Sequence, residues 1–373
     1  MRDRDRLLLG LAAGAGLCLV GKELLARRRE ISLGGRVVLI TGGSRGLGLL
    51  LAKKFAGEGA KVVITARDEN ELAKAKEALS YYAGNILAIP ADVTDRIQAG
   101  RIVEETVRRF GRVDILVNNA GIIQVGPAQD MTHQDFQDAM DINFYGVLNM
   151  ILAVSPQMRA RKNGRIVNIT SIGGRVAVPH MLPYACSKFA ATALSEGLRT
   201  ELARDGVTVT TILPGTIRTG SHDQAKFKGN KEAEYKNFSL SASLPLISIS
   251  ADYAADQILT ATRRGEAERV VGLPAQTLAT LHGLFPGVMC DLFGLFNQYL
   301  LPGPDGEESP IAKGLSIQKR LNSPLWNTLL TLGRAAAKQY NELPGTSAPL
   351  SRNGHLEPDE AVAADTLSTP TMP

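Results

Sequence analysis

Arg36-Val37-Val38-Leu39-Ile40-Thr41-Gly42-Gly43-Ser44-Arg45-Gly46-Leu47-Gly48 reads as a strand, a turn and the entry to a helix in immediate succession. The apolar, β-branched run 36–40 has the composition of a parallel strand buried on both faces. The glycines that follow permit a tight turn and a close backbone approach to a pyrophosphate. Residues 49–56 read as a helix, whose first N–H groups and partial positive charge favour an anion. Working outward, strand-like runs recur near 61–66, 86–90, 113–118, 165–170, 208–213 and 268–272, with helical patterns between them. Thr132 is the expected cap of a long helix reaching Met158. Ser250 is the expected cap of 251–263, with Gly265 just past its end. This alternation predicts an α/β fold, a doubly wound parallel sheet of seven strands with helices on both faces.

A second constellation carries chemistry. Tyr184 and Lys188 stand four residues apart, on one face of a helix if that segment is helical, and Ser171 precedes the tyrosine. A free phenol has a pKa near ~10, and a neighbouring ammonium is expected to lower it. Such a phenol can give and take the proton of a carbonyl/alcohol interconversion, with Ser171 holding the substrate oxygen. Alone, Tyr-x-x-x-Lys recurs by chance on many surfaces. Its weight comes from its company.

That company is a full set of motifs in order. Thr41-Gly42-x-x-x-Gly46-x-Gly48 is followed by Asn118-Asn119-Ala120-Gly121 after the strand Ile115-Leu116-Val117. Then come Asn143 in Asp141-Ile142-Asn143-Phe144-Tyr145-Gly146, Ser171 after Arg165-Ile166-Val167-Asn168-Ile169-Thr170, the Tyr184/Lys188 pair, and Pro214-Gly215-Thr216-Ile217-Arg218-Thr219. Across residues 34–272 the chain resembles the short-chain dehydrogenase/reductase family. The resemblance implies a Rossmann-like fold and a nicotinamide cofactor. It implies Tyr184 as general acid/base, Lys188 as the group that tunes it and holds the nicotinamide ribose, Ser171 as the carbonyl-orienting residue, and Asn143 as the support of a water link from Lys188. The cofactor would lie on Thr41, Gly42, Ser44, Arg45, Gly46, Leu47 and Gly48. Asp92 and Val93 would serve the adenine, and Asn119, Ala120 and Gly121 its ribose and the sheet. Pro214, Gly215, Ile217 and Thr219 would serve the carboxamide. It also implies a homodimer or homotetramer built on the helices near 132–158 and 183–203.

The cofactor's second phosphate has its own signal. NAD-preferring sites place an acid near the end of the second strand. Here Lys61-Val62-Val63-Ile64-Thr65-Ala66 ends in alanine, followed by Arg67. Arg67 and Arg45 suit a 2′-phosphate, so NADP(H) is expected rather than NAD(H). Asp68 competes as an NAD ligand, but Asp68-Glu69-Asn70-Glu71 also has the spacing of a capping box before the helix 72–79. Two rivals to the reductase reading are a cofactor-binding scaffold without chemistry and a 3-oxoacyl-carrier reductase.

The formal net charge is +5, and the first 36 residues hold eight basic and four acidic side chains around the apolar stretch 7–21. Fifteen helical residues span only ~22 Å, so a membrane anchor would need to run over 7–26, with the basic run 27–29 keeping the catalytic side cytoplasmic. A packed helix and a signal peptide are the other readings. No basic stripe with interleaved aromatics points to nucleic acid. Cys18, Cys186 and Cys290 make neither a disulfide nor a metal pattern. Residues 273–342 are expected to form a helical extension, broken at Pro286, with a helix starting at Ser323-Pro324 and running through Leu325, Leu329, Leu332, Ala336 and Tyr340. It reads as a lid or membrane-facing collar, or equally as a packing layer or oligomer contact. The lysines of 220–249 read as solvated, and residues 343–373 as a disordered tail.

Overall fold

In the computed structural model, residues 21, 23–305, 310–321 and 331–342 are described. Seven strands, β1 (Val37–Thr41), β2 (Lys61–Ala66), β3 (Ile86–Pro90), β4 (Ile115–Asn118), β5 (Gly164–Ile169), β6 (Val207–Pro214) and β7 (Glu268–Val271), form one sheet. The spatial order is β3-β2-β1-β4-β5-β6-β7, and every neighbouring pair is parallel. The order reverses at β1, so the crevice beyond its C-terminal end is where an open α/β sheet takes ligands. The glycine turn sits at that point.

Both faces of the sheet are covered, which is why its strands are apolar throughout. One layer packs α1 (Gly46–Gly57), α2 (Glu69–Ala78) and α8 (Ala251–Arg264) on Val38, Ile40, Val62 and Ile64. The other packs α3 (Arg96–Phe110) and α5 (Gly146–Ala160) on Leu39, Val63, Leu116 and Ile166. The long helix expected from Thr132 is continuous but not uniform. α4 (His133–Met140) passes through a π turn at Asp141–Tyr145 into α5. Such turns gather at functional positions, and this one carries the fully buried Asn143. Then comes α6 (Leu182–Glu201), whose proline at its start costs no hydrogen bond.

Local signals explain several ends. Ser250 caps α8 through Tyr253 N–H, and Gly265 closes it in the left-handed conformation, φ 58°. Asp68 caps α2, accepting from Asn70 N–H and Glu71 N–H at 2.9 Å each. Glu71, however, does not return to the cap. It turns to the glycine loop. Segment 220–249 is also not simply solvated: Lys226 and Phe227 pair with Gln124–Val125 and with Ala312–Lys313, and α7 (Lys231–Ser243) follows. Lys228 is buried, its Nζ 2.6 Å from an Asp135 carboxylate that also accepts from the N–H and hydroxyl of Thr132.

Residues 23–29 are helical and joined to the sheet domain. Arg165, buried under the β5 end, donates to the carbonyls of Thr262, Arg263 and Arg29. Burial lowers its pKa to about 10. Past β7, α9 (Leu273–Leu284) and α10 (Pro286–Leu300) meet at a 119° bend where Pro286 was expected to break the run. α10 has no buried residue. Among the described residues no single helix is long and apolar enough to cross a membrane. α11 (Gly314–Leu321) packs under α7, and α12 (Thr331–Gln339) returns to the sheet's C-terminal edge. The anchor reading of 7–26 falls mostly outside the described residues, as do the helix start at Ser323-Pro324, Leu325 and Leu329, and the tail from 343.

Candidate active site

One cleft of about 1020 Å3 runs along the C-terminal edge of the sheet, from Arg67 and Asp92 past the glycine loop to Tyr184 and on to Phe238 and Phe296. Of the residues expected from sequence, all line it except Thr41 and Asn143, which stand one layer behind.

The loop's shape is fixed by that second layer. Thr41 Oγ1 accepts from Asn119 N–H at 3.0 Å and from Ala120 N–H at 3.1 Å, while Asn119 Nδ2 donates to the carbonyls of Thr41 and Gly42 at 3.0 Å. Gly48 is tightest: a Cβ there would stand 2.1 Å from the Gly42 carbonyl oxygen. Glycine at 48 thus serves helix packing, and the N-terminus of α1 opens into the cleft. The two arginines at this end are already engaged. Arg45 Nη1 lies 2.7 and 2.8 Å from the two carboxylate oxygens of Glu71, which also accepts from Ser44 Oγ at 3.1 Å. Arg67, with its side chain 64% exposed, reaches Asp92 at 3.7 Å. The other oxygen of Asp92 caps Thr94, accepting from its N–H and hydroxyl.

At the other end Ser171 follows β5, and its Oγ accepts from Gly173 N–H at 3.0 Å. Tyr184, in the first turn of α6, hydrogen-bonds Ser171. Lys188, one turn on, is buried, donates to the Ile169 carbonyl at 3.1 Å, and lies 5.8 Å from the Tyr184 ring centroid. Here the structure departs from the sequence expectation. The phenol is not lowered: burial raises its pKa, and the bond with Ser171 only partly opposes this. Tyr184 as a whole residue is half-buried and lines the cleft, so solvent moderates the shift. Lys188 is itself pushed down to about 8 by burial. Desolvation penalises both charged forms and is the leading cause of each shift.

Asn143 Oδ1 accepts from Ile122 N–H at 3.0 Å, and its Nδ2 donates to the Ile122 carbonyl and to Ser187 Oγ. Ser187 Oγ in turn donates to the Tyr184 carbonyl at 2.8 Å. Asn143 is therefore tied to the tyrosine's helix through a serine that sequence reasoning passed over. Gly121 completes this corner: a Cβ there would stand 2.8 Å from Asn143 Oδ1 and 3.5 Å from Lys188 Nζ. Also unforeseen is His180, a non-glycine residue at φ 62°, whose Nδ1 lies 2.6 Å from Glu234 of α7 where both line the substrate end. Nothing in local sequence pairs them. The same holds for Glu342, whose carboxylate reaches Arg45 Nε at 3.1 Å.

Glycines without room for side chains, a helix N-terminus and a long cleft reaching the Tyr184–Lys188 pair together fit a dinucleotide. Arg67, Asp92, the loop and segment 214–219 would hold its length. Among the described residues no group of three His, Cys, Asp or Glu side chains could hold a metal ion.

A family model described as short chain dehydrogenase matches residues 36–228. A dehydrogenase/reductase SDR family protein 7-like of Anopheles gambiae is 39% identical over 52% of the chain, which spans 62% of that relative's length. An uncharacterized oxidoreductase of Staphylococcus saprophyticus is 34% identical over 57% of the chain and 91% of its own. Two solved structures are similar at 30% identity. A short-chain dehydrogenase from Streptomyces avermitilis superposes with a TM-score of 0.61, covering 70% of this chain and 96% of that one. A gluconate 5-dehydrogenase from Burkholderia cenocepacia, in complex with NADP and tartrate, gives 0.57, covering 65% and 96%.

Proposed function

Because the chain belongs to the short-chain dehydrogenase family, we propose that it is an NADPH-dependent oxidoreductase interconverting a carbonyl and an alcohol on a lipophilic substrate, at the cytoplasmic side of a membrane. The observation that carries the reaction type is the grouping of Ser171, Tyr184 and Lys188 at one end of a nucleotide-sized cleft. A nicotinamide cofactor held by the glycine loop, Lys188 and segment 214–219 would supply or accept the hydride. Ser171 holds the substrate oxygen, and Tyr184 gives it a proton during reduction and takes one during oxidation. Lys188, held by the Ile169 carbonyl and buried beside the ring, favours the phenolate once it is itself charged. Asn143 fixes the backbone on both sides of this group through Ile122 and Ser187. Orientation on rigid elements then supplies much of the rate.

Ala66 at the end of β2 and the exposed Arg67 favour NADPH, as does the NADP complex of the Burkholderia neighbour. Ile122, Ile123, Val178, Met181, Phe238 and Phe296 make the substrate end apolar, which favours a lipophilic compound. The bent pair α9–α10 exposes Leu284, Phe285, Val288, Leu292 and Leu295, and Phe296 of the same pair lines the cleft. That continuity favours a membrane surface that the apolar stretch 7–26 would also engage. Tyr145, Leu152 and Phe189 are exposed on the helices where a homo-oligomer contact is proposed. The test is NADPH and NADH consumption across a panel of aldehydes and ketones, from polar sugars to long-chain and steroidal carbonyls. Turnover confined to polar carbonyls, or to none, removes this reading.

A further inference from the structure

The N-terminus of α1 is not open along its whole face. Gly46 N–H donates to the carbonyl of Tyr340 at 2.7 Å. Asn341 Nδ2 donates to the Ser44 carbonyl at 3.0 Å, and Gln224 Nε2 donates to the Glu342 carbonyl at 2.8 Å. The Glu342 carboxylate lies over Gly46, where an added Cβ would collide with its Oε1, and its Oε2 stands 3.1 Å from Arg45 Nε. That contact is an ion pair without hydrogen-bond alignment, so Oε2 is buried with no hydrogen-bond partner. The segment is anchored on two further sides. Ala337 of α12 packs on Gly220, and Tyr340 Oη donates to Asp252 of α8 at 2.8 Å.

We propose that residues 335–342 are a strap that seats a carboxylate of the chain's own where the cofactor's pyrophosphate binds, so that nucleotide binding requires the strap to leave. This rests on the nicotinamide-cofactor reading of the glycine loop. A pyrophosphate drawn to this helix N-terminus would meet the Tyr340 carbonyl on Gly46 N–H and the Glu342 carboxyl over Gly46, so the two cannot occupy the same place. The carboxylate is also poorly accommodated. Burial, with Glu71 and Asp223 nearby, raises its pKa to about 7 against the pull of Arg45. A buried acid lacking a full set of partners is costly. The strap is therefore held by Tyr340, Ala337 and backbone bonds, while Glu342 occupies the seat under strain of charge. Ala336 and Tyr340 of this segment pack into the apolar layer that α1 and α8 share, so release of the strap uncovers that edge of the layer.

The experiment is nucleotide titration of the full chain by fluorescence, paired with hydrogen exchange of residues 335–342. Two variants are compared with wild type: Gln224→Ala, which removes the bond to the Glu342 carbonyl, and Asn341→Ala, which removes the bond to the Ser44 carbonyl and disfavours the left-handed backbone there, φ 59°. Each is checked for an unchanged melting transition in β-sheet circular dichroism. If the strap competes, both variants bind NADPH more tightly, within the roughly 5–150-fold range of coupled sites, and NADPH speeds exchange of 335–342 in wild type. Protection of 335–342 by NADPH, or unaltered affinity in both variants, overturns the strap while leaving the cofactor reading intact. If neither wild type nor variants bind NADPH or NADH, the cofactor reading and the strap fail together. Binding by the variants but not by wild type supports the strap in its strongest form.

Discussion

Lys188 and Glu342 are both ionisable groups buried in the same cleft, and burial pushes each toward its neutral form, the lysine down to about 8 and the glutamate up to about 7. They are held in opposite ways. Lys188 projects from α6, and its ammonium is satisfied by the Ile169 carbonyl at the end of β5. Its neighbours Asn143, Ser187 and Gly121 are locked to one another from three elements of the fold. Glu342 comes from the end of an appended segment, with one oxygen unpartnered. The Tyr184–Lys188 end is preorganised by the core, and the glycine-loop end is covered by an appended segment that reaches the core through Ala336 and Tyr340. A site of the first kind loses rate when a group is removed; a site of the second kind gains affinity when its cover is loosened.

The largest effect should therefore come from the catalytic end. Tyr184→Phe keeps the ring that packs beside Lys188 and removes only the hydroxyl bonded to Ser171. It is expected to lower kcat by about 10²–10⁴-fold, the usual contribution of a general acid or base. NADPH affinity, measured by titration, should change little. An equal fall in both would place Tyr184 in binding rather than proton transfer.

At the nucleotide end the expected changes are smaller and of defined sign. Arg67→Ala should weaken NADPH binding by about tenfold and leave NADH nearly unchanged, since guanidinium pairs specifically with a phosphate. Equal weakening of both nucleotides would make Arg67 only a partner of Asp92. The pH dependence follows from Glu342. Its pKa is raised when docked, from 4.5 to about 7, so the docked state holds its proton in a window where the released segment has lost it. Docking is strongest below 4.5, weakens as pH rises to about 7, and is constant above. NADPH should thus compete better at pH 7.5 than at pH 5.5 in wild type. The 2′-phosphate titrates in the same range, so the diagnostic quantity is the difference between wild type and Glu342→Gln, which should be flatter. Parallel profiles would detach the strap from this carboxylate.

Most of the sheet and the motif residues of the cleft were legible because both are written locally. A buried parallel strand is a continuous apolar run, a phosphate turn is a set of glycines between strand and helix, and Tyr184 and Lys188 are adjacent on one helix face. What escaped depends on distance in sequence. Glu71 has the spacing of a capping box, yet the arginine it meets lies in the loop between β1 and α1. Lys228 looks solvated until Asp135, on a helix a long way upstream, is folded against it. His180 and Glu234 meet only because α7 folds over the segment before α6. The lowered phenol was expected from charge proximity alone; desolvation, which no spacing rule carries, reversed its direction.

The smallest effect separates two roles for one residue at the edge of the nucleotide end. Asp68 stands where an acidic ligand of the ribose could be sought, and it also accepts from Asn70 N–H and Glu71 N–H as the cap of α2. Asparagine caps as well as aspartate but carries no charge, whereas alanine does neither. If capping is the role, Asp68→Ala costs about 1 kcal/mol of stability, a melting shift of about 2–4 °C for a domain of this size. Asp68→Asn should then melt with wild type, and neither variant should alter the ratio of NADH to NADPH affinity. A change in that ratio in Asp68→Asn, with stability preserved, would move Asp68 from the helix end into the cofactor site and weaken the case for NADPH drawn from Ala66 and Arg67.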